Sequence, residues 1–137
     1  ADLCVVDLHS GEACFSKLGA CGSFVLQEKG VTRIPGGRLP LGILEQVEPA
    51  VKKLEVHPGD MIIMVSDGVA DDLREGQAEW LAAQMEGLRH LKPSEAARRL
   101  TDLAASRDGG EARDDMTVVA VRILARPIRS RQPMSAA

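Results

Sequence analysis

The sequence predicts an α+β fold with antiparallel sheets, and two observations carry this prediction. Six apolar or β-branched runs come first and are separated by turns rich in Gly, Pro, Asp and Ser. Two amphipathic helical segments follow, and one more β-branched run closes the order. Strands grouped in this way, instead of alternating with helices, are typical of antiparallel sheets. The 137 residues, 45% hydrophobic and 27% charged, are enough for one globular domain or part of one.

Six strands are predicted before the first helix. The first four form two hairpins, the second of which turns at Lys29-Gly30. The fifth contains Pro49, which cannot donate a ladder hydrogen bond and therefore indicates a sheet edge. The sixth is continuously apolar, which indicates a strand buried on both faces. In chain order the predicted strands span residues 3–8, 13–18, 23–28, 31–34, 47–56 and 61–66.

Two helices and a seventh strand complete the predicted order. Residues 75–89 carry apolar side chains at steps of three and four, and a second helix opens at Pro93 with Ser94 as its N-cap. The last strand spans residues 116–124, and residues 125–137 are predicted to form a flexible tail. The expected buried faces consist of Ala78, Leu81, Ala82, Met85 and Leu88 in the first helix and of Ala97, Leu100 and Ala104 in the second.

Composition argues against two classes of partner. The net charge is -3, and the aromatic residues are two Phe and one Trp, so the chain has neither a basic field nor the aromatic platforms that nucleic acids stack on. The longest purely apolar run, Met61 to Val65, is far shorter than the ~20 residues a membrane span needs. We therefore expect no nucleic-acid partner and no membrane segment in this chain.

The cysteine pattern predicts a cytoplasmic location. Cys4, Cys14 and Cys21 are odd in number and lack paired spacing, which fits free thiols in a reducing compartment better than a disulfide framework. A zinc site formed by these cysteines with His9 is the disfavoured alternative, because structural zinc prefers closely paired ligands.

Acidic residues stand at the ends of two predicted strands. Asp67 and Gly68 follow the buried strand 61–66, and Asp114 and Asp115 precede the last strand. If these strands are antiparallel neighbours, the carboxylates share one sheet edge and repel one another unless a cation lies between them. Oxygen ligands without histidine favour Mg²⁺ or Mn²⁺, and Gly68 allows a sharp turn. The alternative is an ordinary Asp-Gly turn and a strand cap, and the pattern alone leaves both interpretations open.

The two motifs and their contexts resemble the metal-dependent serine/threonine protein phosphatases of the type 2C class, in particular the stage II sporulation protein E branch. The resemblance covers residues 1–124. It is carried by Ser66-Asp67-Gly68 and Arg113-Asp114-Asp115-Met116-Thr117, with further matches at Leu18-Gly19, Ser23-Phe24-Val25, residues 39–44 and Pro58-Gly59-Asp60.

This resemblance implies an antiparallel β-sandwich flanked by helices, with two Mn²⁺ or Mg²⁺ ions at one edge. It assigns metal ligation to Asp67 and Asp114, with Gly68 supporting the turn. Asp115 stands where relatives often carry Asn and is the weaker candidate; moreover, successive strand residues point to opposite faces, so Asp114 and Asp115 cannot aim equally at one ion. The implied reaction is in-line attack of water on a phosphoserine or phosphothreonine.

The resemblance also implies a biological setting. The implied substrate is a phosphorylated anti-sigma-factor antagonist in sporulation signalling. In this branch the phosphatase domain follows a membrane-anchored region of a longer protein.

The sequence departs from the family in one respect. Relatives carry a further acidic Asp-Gly-x-Gly motif upstream of the strand that begins here, and Gly109-Gly110-Glu111 does not match it. We therefore expect this chain to be the C-terminal part of the domain, with an incomplete metal site and with the upstream half of the same domain as its partner. The competing hypothesis is a non-catalytic regulatory or interaction domain that retains the fold; the presence of Asp67 and Asp114 favours the enzyme.

Other polar residues are weaker candidates. His9, His57 and His90 are conceivable general acids, but His9 and His57 lie in predicted turns and are expected to be solvated turn residues instead. Asp71 and Asp72 could contact metal-bound water; the simpler interpretation is that they are acids in a surface loop or at a helix N-terminus. The 39–44 loop either lines a substrate groove or packs as a crossover. Met61 and Met64 are expected to fill the core instead of binding a ligand.

Overall fold

The computed structural model of the protein describes residues 1–37, 42, 48–70, 76–107 and 114–125, without the side chains of Gln77 and Ala78. Within this part of the chain the α+β prediction is confirmed, and every strand begins and ends within three residues of its predicted bounds. The elements are β1 Asp2–Val6, β2 Glu12–Lys17, β3 Ser23–Gln27, β4 Gly30–Ile34, β5 Ala50–Glu55, β6 Met61–Val65, α1 Gln77–Met85, a 3₁₀ turn Glu86–Leu88, α2 Pro93–Arg107 and β7 Val118–Arg122. Residues 126–137 of the predicted tail lie outside the described residues.

The strands form two antiparallel sheets. The first sheet has the order β1-β2-β5, and the second has the order β4-β3-β6-β7. The prediction that residues 47–56 hold an edge strand is confirmed, because β5 begins directly after Pro49 and ends the first sheet. The predicted turn at Lys29-Gly30 is wrong by one residue. Gln27 pairs with Gly30, so the turn consists of Glu28 and Lys29.

β6 is buried on both faces, as its apolar sequence predicts. Alternate residues of a strand point to opposite faces, and here the two faces belong to two different cores. Met61, Ile63 and Val65 pack against the helices, whereas Ile62 packs between the two sheets with Met64 partly buried beside it. The layers are therefore helices, second sheet, first sheet. The helix-side core contains Phe24, Leu26, Leu81, Met85, Leu88, Ala96, Leu100 and Ala104, and the inter-sheet core contains Ala13, Phe15, Val25, Ile34 and Val56.

The helices differ from prediction at two positions. Ser94 is not the N-cap, because Pro93 already occupies the first helical position, where its missing N–H costs nothing. Instead Glu95 accepts a hydrogen bond from the N–H of Lys92 at 3.3 Å. The buried stripe of α2 starts at Ala96 in place of Ala97, with Leu100 and Ala104 one and two turns later as predicted. No helix in the described part of the chain is long and apolar enough to span a bilayer.

Two apolar surfaces of the sheets stay exposed. On the outer face of the first sheet, Leu3, Val5 and Val51 are 56%, 56% and 55% exposed. On β7, Val119 and Val121 are each 48% exposed, although their cross-strand neighbours Met64 and Ile62 face the inter-sheet core. The first sheet therefore does not reach over β7 in the described chain.

Lys17 is a buried cation that the sequence did not reveal. Its side chain is 1% exposed, and its Nζ lies 2.8 Å from the carboxylate of Asp2. The same ammonium donates to the carbonyl of Cys21 at 2.9 Å and to the hydroxyl of Ser23. It thereby ties β1 of the first sheet to the start of β3 in the second.

Replacing Lys17 is expected to destabilise the protein. Lys17→Met leaves the Asp2 carboxylate without its cation, and breaking a buried pair in this way costs about 3 kcal/mol. Chemical denaturation of the complete protein measures the loss. Lys53→Met is the matched control, because the Lys53–Glu12 pair is exposed on both sides and should leave the midpoint unchanged. Equal midpoints for both variants would contradict a structural role for Lys17.

Candidate functional site

The end of β6 and the start of β7 meet at one edge of the second sheet. The strands pair antiparallel, with Val65 opposite Val118, as the site hypothesis requires. One further backbone hydrogen bond, from the N–H of Ser66 to the carbonyl of Thr117 at 3.0 Å, extends the ladder beyond the last strand pair. The two acidic motifs are thereby brought side by side.

The side chain of Ser66 links the two motifs beyond the ladder. Its Oγ donates to the carbonyl of Asp115 at 3.0 Å and accepts from the N–H of Thr117 at 2.9 Å. Its own carbonyl accepts from the N–H groups of Val69 and Ala70, both at 3.0 Å, which closes the turn that follows β6. One residue therefore both shapes the Asp67 turn and holds the segment before β7.

Gly68 lies against the backbone of the second motif. A Cβ placed on Gly68 would stand 2.4 Å from the carbonyl oxygen and 2.9 Å from the carbonyl carbon of Asp115, and 3.3 Å from the carbonyl carbon of Asp114. Backbone atoms cannot rotate out of the way, so any larger residue would push the two motifs apart. Glycine is required here by this close approach.

Each candidate ligand has one carboxylate oxygen held by the backbone N–H of the next residue. Oδ1 of Asp67 accepts from the N–H of Gly68 at 3.1 Å, and Oδ1 of Asp114 accepts from the N–H of Asp115 at 2.8 Å. Both residues are exposed, and within the described chain their second oxygens have no hydrogen-bond partner. The side chains are thus oriented locally while one oxygen of each stays available to a ligand.

The strand argument that separates Asp114 from Asp115 is wrong. β7 begins at Val118, so both residues precede the strand and the alternation of faces does not apply to them. Their difference lies in the backbone, since it is the Asp115 carbonyl that faces Gly68 and Ser66. The ranking of the two as ligands stays a prediction.

The described residues alone do not assemble a full metal site. No three His, Cys, Asp or Glu side chains in the described ranges lie close enough to hold one ion. The structure brings the two motifs together through their backbones and leaves the carboxylates of Asp67 and Asp114 exposed. The candidates Asp71 and Asp72, the 39–44 loop apart from Gly42, and Gly109-Gly110-Glu111 lie outside the described residues.

The histidines lie away from this edge. His57 stands before β6, at the end opposite Asp67, with its Nε2 3.1 Å from a carboxylate oxygen of Glu55. His9 lies in the β1–β2 turn, where its N–H donates to Asp7. His90 is exposed in the turn before α2.

None of the three cysteines forms a disulfide bond. All three are partly buried, and burial raises the pKa of Cys4, with the charge of Asp2 adding to the effect. No three His, Cys, Asp or Glu side chains of the described residues, which include Cys4, Cys14, Cys21 and His9, are grouped closely enough to hold a metal ion.

Sequence reasoning missed the role of Ser66. The available signal was its position, directly before Asp67 at the end of a buried strand. Ser is a common local hydrogen-bond former, so without knowledge of which strand lies beside it the position predicts nothing specific.

Comparison with known proteins gives one consistent result. A sequence profile of the family described as Stage II sporulation protein E (SpoIIE) matches residues 1–124. Stage II sporulation protein E of Bacillus subtilis (strain 168) is 33% identical over 124 residues, covering 89% of this chain and 15% of that protein. The phosphatase domain of the cell-fate determinant SpoIIE from Bacillus subtilis, presoaked with Mn, superposes with a TM-score of 0.76 at 30% identity. That match covers 92% of this chain and 57% of the other.

A more distant structure supports the fold alone. The catalytic domain of the serine/threonine protein phosphatase PstP, in complex with two manganese ions, matches with a TM-score of 0.65 at 20% identity. The match covers 90% of this chain and 58% of that one. The predicted antiparallel sandwich with flanking helices is therefore confirmed, and this chain spans only part of the domain in each case. By the extent of the profile match and by this shared fold, the chain belongs to the stage II sporulation protein E family, a branch of the type 2C phosphatases.

Proposed function

We propose that the complete protein containing this chain is a divalent-metal-dependent protein serine/threonine phosphatase, in which Asp67 and Asp114 are metal ligands. The observation that carries the proposal is the contact of the Asp67-Gly68 turn with the Asp114-Asp115 segment, closed by Ser66. Two oppositely directed strands deliver one oriented carboxylate each to the same sheet edge. If Asp67-Gly68 were only a turn and Asp114-Asp115 only a strand cap, there would be no reason for the two segments to be in contact.

The donor set fits Mn²⁺ or Mg²⁺. Asp67 and Asp114 offer oxygen atoms only, at an exposed edge, and hard divalent ions prefer oxygen ligands together with water. We propose two ions in the complete domain, with the remaining ligands coming from the upstream half. When bound, such ions neutralise phosphoryl oxygens and make water nucleophilic near neutral pH.

The residues of this chain hold and orient the carboxylates of Asp67 and Asp114. The backbone N–H groups of Gly68 and Asp115 each fix one oxygen of the neighbouring carboxylate, so the second oxygen has a defined direction before any ligand arrives. Preorganisation of this kind reduces the reorganisation needed during reaction. Gly68 allows the backbones of the two motifs to lie close together because it adds no side chain between them.

We further propose the substrate, partner and location. The substrate is a phosphorylated anti-sigma-factor antagonist in sporulation signalling, as family membership suggests. The partner within the protein is the upstream half of the phosphatase domain, which fits the coverage of 57% of the solved phosphatase domain. Cys4, Cys14 and Cys21 form no disulfide, which supports a cytoplasmic location for the domain.

Separate substitutions of the neighbouring residues Asp114 and Asp115 test which of them is the metal ligand. Asp114→Asn is expected to lower phosphatase turnover and Mn²⁺ affinity by more than about 100-fold, beyond the 10–100-fold effect of outer ligand contacts. Asp115→Asn should cost less than about 10-fold, because the contacts of that residue to Gly68 and Ser66 come from its backbone. Kinetics on a phosphoserine substrate and titration calorimetry with Mn²⁺ give the ranking. The reverse ranking would move the ligand to Asp115.

The non-catalytic alternative makes a different prediction about the complete protein. An acidic Asp-Gly-x-Gly motif upstream of β1 in the gene supports the enzyme, since it would supply the missing carboxylates. A complete protein that lacks this motif, binds no Mn²⁺ and still binds its phosphoprotein partner would support a regulatory domain.

A further inference from the structure

Ser66 stands where the β6–β7 ladder stops and the two candidate ligand turns begin. The last backbone bond of the ladder joins Ser66 to Thr117. Beyond this bond the chain on each side leaves the strand, and the Ser66 hydroxyl is what continues the connection, through the carbonyl of Asp115 and the N–H of Thr117. The Asp115 carbonyl and the Thr117 N–H lie on either side of Met116. The Ser66 hydroxyl therefore holds the backbone at two points shortly after Asp114.

The consequence of losing this hydroxyl differs from that of an ordinary core mutation. Ser66 is partly exposed, and Thr117 and Asp115 are exposed, so water can satisfy the two backbone groups if the hydroxyl is removed. The free energy of unfolding should therefore change little. Without the hydroxyl, however, the two segments keep the Ser66–Thr117 backbone bond and the Gly68–Asp115 contact but lose both side-chain links, so the distance between the Asp67 turn and the Asp114 segment would be held less tightly.

We propose that Ser66 is a positioning residue that sets the separation of the Asp67 and Asp114 carboxylates for metal binding. The role extends the proposed metal site and rests on it. Ser66 itself contacts no ion; it acts through the backbone that carries both ligands. Outer contacts of this kind typically change metal affinity by about 10–100-fold.

The test measures Mn²⁺ binding in the complete protein by titration calorimetry. Ser66→Ala is expected to weaken Mn²⁺ binding about 10–100-fold. Ser66→Thr, which keeps the hydroxyl, should bind Mn²⁺ within several-fold of the unaltered protein. Ser106→Ala is the matched control, since Ser106 is exposed on α2 and its hydroxyl donates to the carbonyl of Asp102 at 2.8 Å. That control should leave the affinity unchanged.

Two further measurements separate the possible outcomes. Thermal unfolding without metal should give nearly equal midpoints for Ser66→Ala and Ser106→Ala; a large loss confined to Ser66→Ala would mean that the residue supports the fold instead. Unchanged Mn²⁺ affinity in Ser66→Ala, with Asp67→Asn still abolishing binding, overturns the role of Ser66 and leaves the proposed function standing. If the unaltered complete protein binds no Mn²⁺, the proposed function fails and the role of Ser66 fails with it.

Discussion

Asp67→Asn in the complete protein is expected to lower phosphatase turnover by more than about 100-fold while the fold stays intact. The substitution keeps the side-chain volume and removes the charge that a divalent ion would bind. Asp67 is exposed, and its local bond uses one oxygen that an amide also provides. The metal-free protein should therefore change in stability by no more than about 0.5 kcal/mol, as for most surface substitutions.

Metal-dependent stability provides a second measurement for Asp67→Asn. A ligand that binds only the folded state stabilises it by about 2.7 kcal/mol at a concentration 100 times its Kd. We expect Mn²⁺ to raise the unfolding midpoint of the unaltered protein and to have a much smaller effect on the variant. The two readouts together distinguish a lost ligand from a damaged fold.

Asp102→Asn is the matched control for this experiment. Asp102 lies on the exposed side of α2, where its carboxylate is 3.9 Å from Arg98 and its side chain is 71% exposed. The same chemical change there should leave turnover and the Mn²⁺ effect unaltered. Near-normal turnover of Asp67→Asn would remove Asp67 from the site.

Residues 1–137 produced on their own are expected to show no phosphatase turnover. A hard divalent ion needs about six oxygen donors in near-octahedral geometry. Asp67 and Asp114 supply two carboxylates, and the described residues offer no group of three ligating side chains. Water can fill the remaining positions, but the ion is then held weakly, and a displacement of about 1 Å can cost on the order of 100-fold in rate.

The same chain is also expected to self-associate. Leu3, Val5 and Val51 lie exposed on the outer face of the first sheet, and Val119 and Val121 lie exposed on β7. Covering apolar surface gains about 25 cal/mol per Å², and contiguous patches of this kind promote association. The matched region of the solved SpoIIE phosphatase domain makes up 57% of it, so further chain is available there to cover such faces.

Size-exclusion chromatography and a phosphoprotein assay with excess Mn²⁺ test these two expectations on residues 1–137. The double variant Leu3→Thr and Val5→Thr should reduce association, because Thr retains strand propensity while adding a polar group. The control Lys53→Thr changes a charged residue on the same outer face and should not. A monodisperse monomer with ordinary turnover would contradict the view that this chain needs the rest of the domain.

Much of the local structure follows directly from the sequence. The apolar run at residues 61–66 predicts a strand with both faces covered, and β6 has helices on one face and the first sheet on the other. Pro49 predicts an edge, and β5 is an edge. These predictions succeed because the burial of a strand and the missing N–H of proline both leave a signal within a few consecutive residues, which a sequence pattern can detect.

The errors also have local physical causes. The predicted N-cap of α2, Ser94, is wrong because Pro93 is itself a good first helical residue and the helix begins there. The predicted hairpin turn is one residue too late because Gly30 pairs with Gln27 and is already the first residue of β4. In each case two adjacent residues suit the same position, and propensity alone does not choose between them.

The sequence by itself determined the class of fold, the two acidic motifs and their places at strand ends, because alternation and turn chemistry depend on near neighbours. The tertiary structure decided which elements meet. Only the pairing of β6 with β7 brings Ser66 to Asp115 and Gly68 to the same backbone, across 49 residues of chain. Likewise, the β1–β2 pairing places Asp2 beside Lys17, but only the stacking of two sheets brings Ser23 to the Lys17 ammonium. Contacts between distant segments depend on how whole layers pack, and the residues of either segment carry no local record of the other.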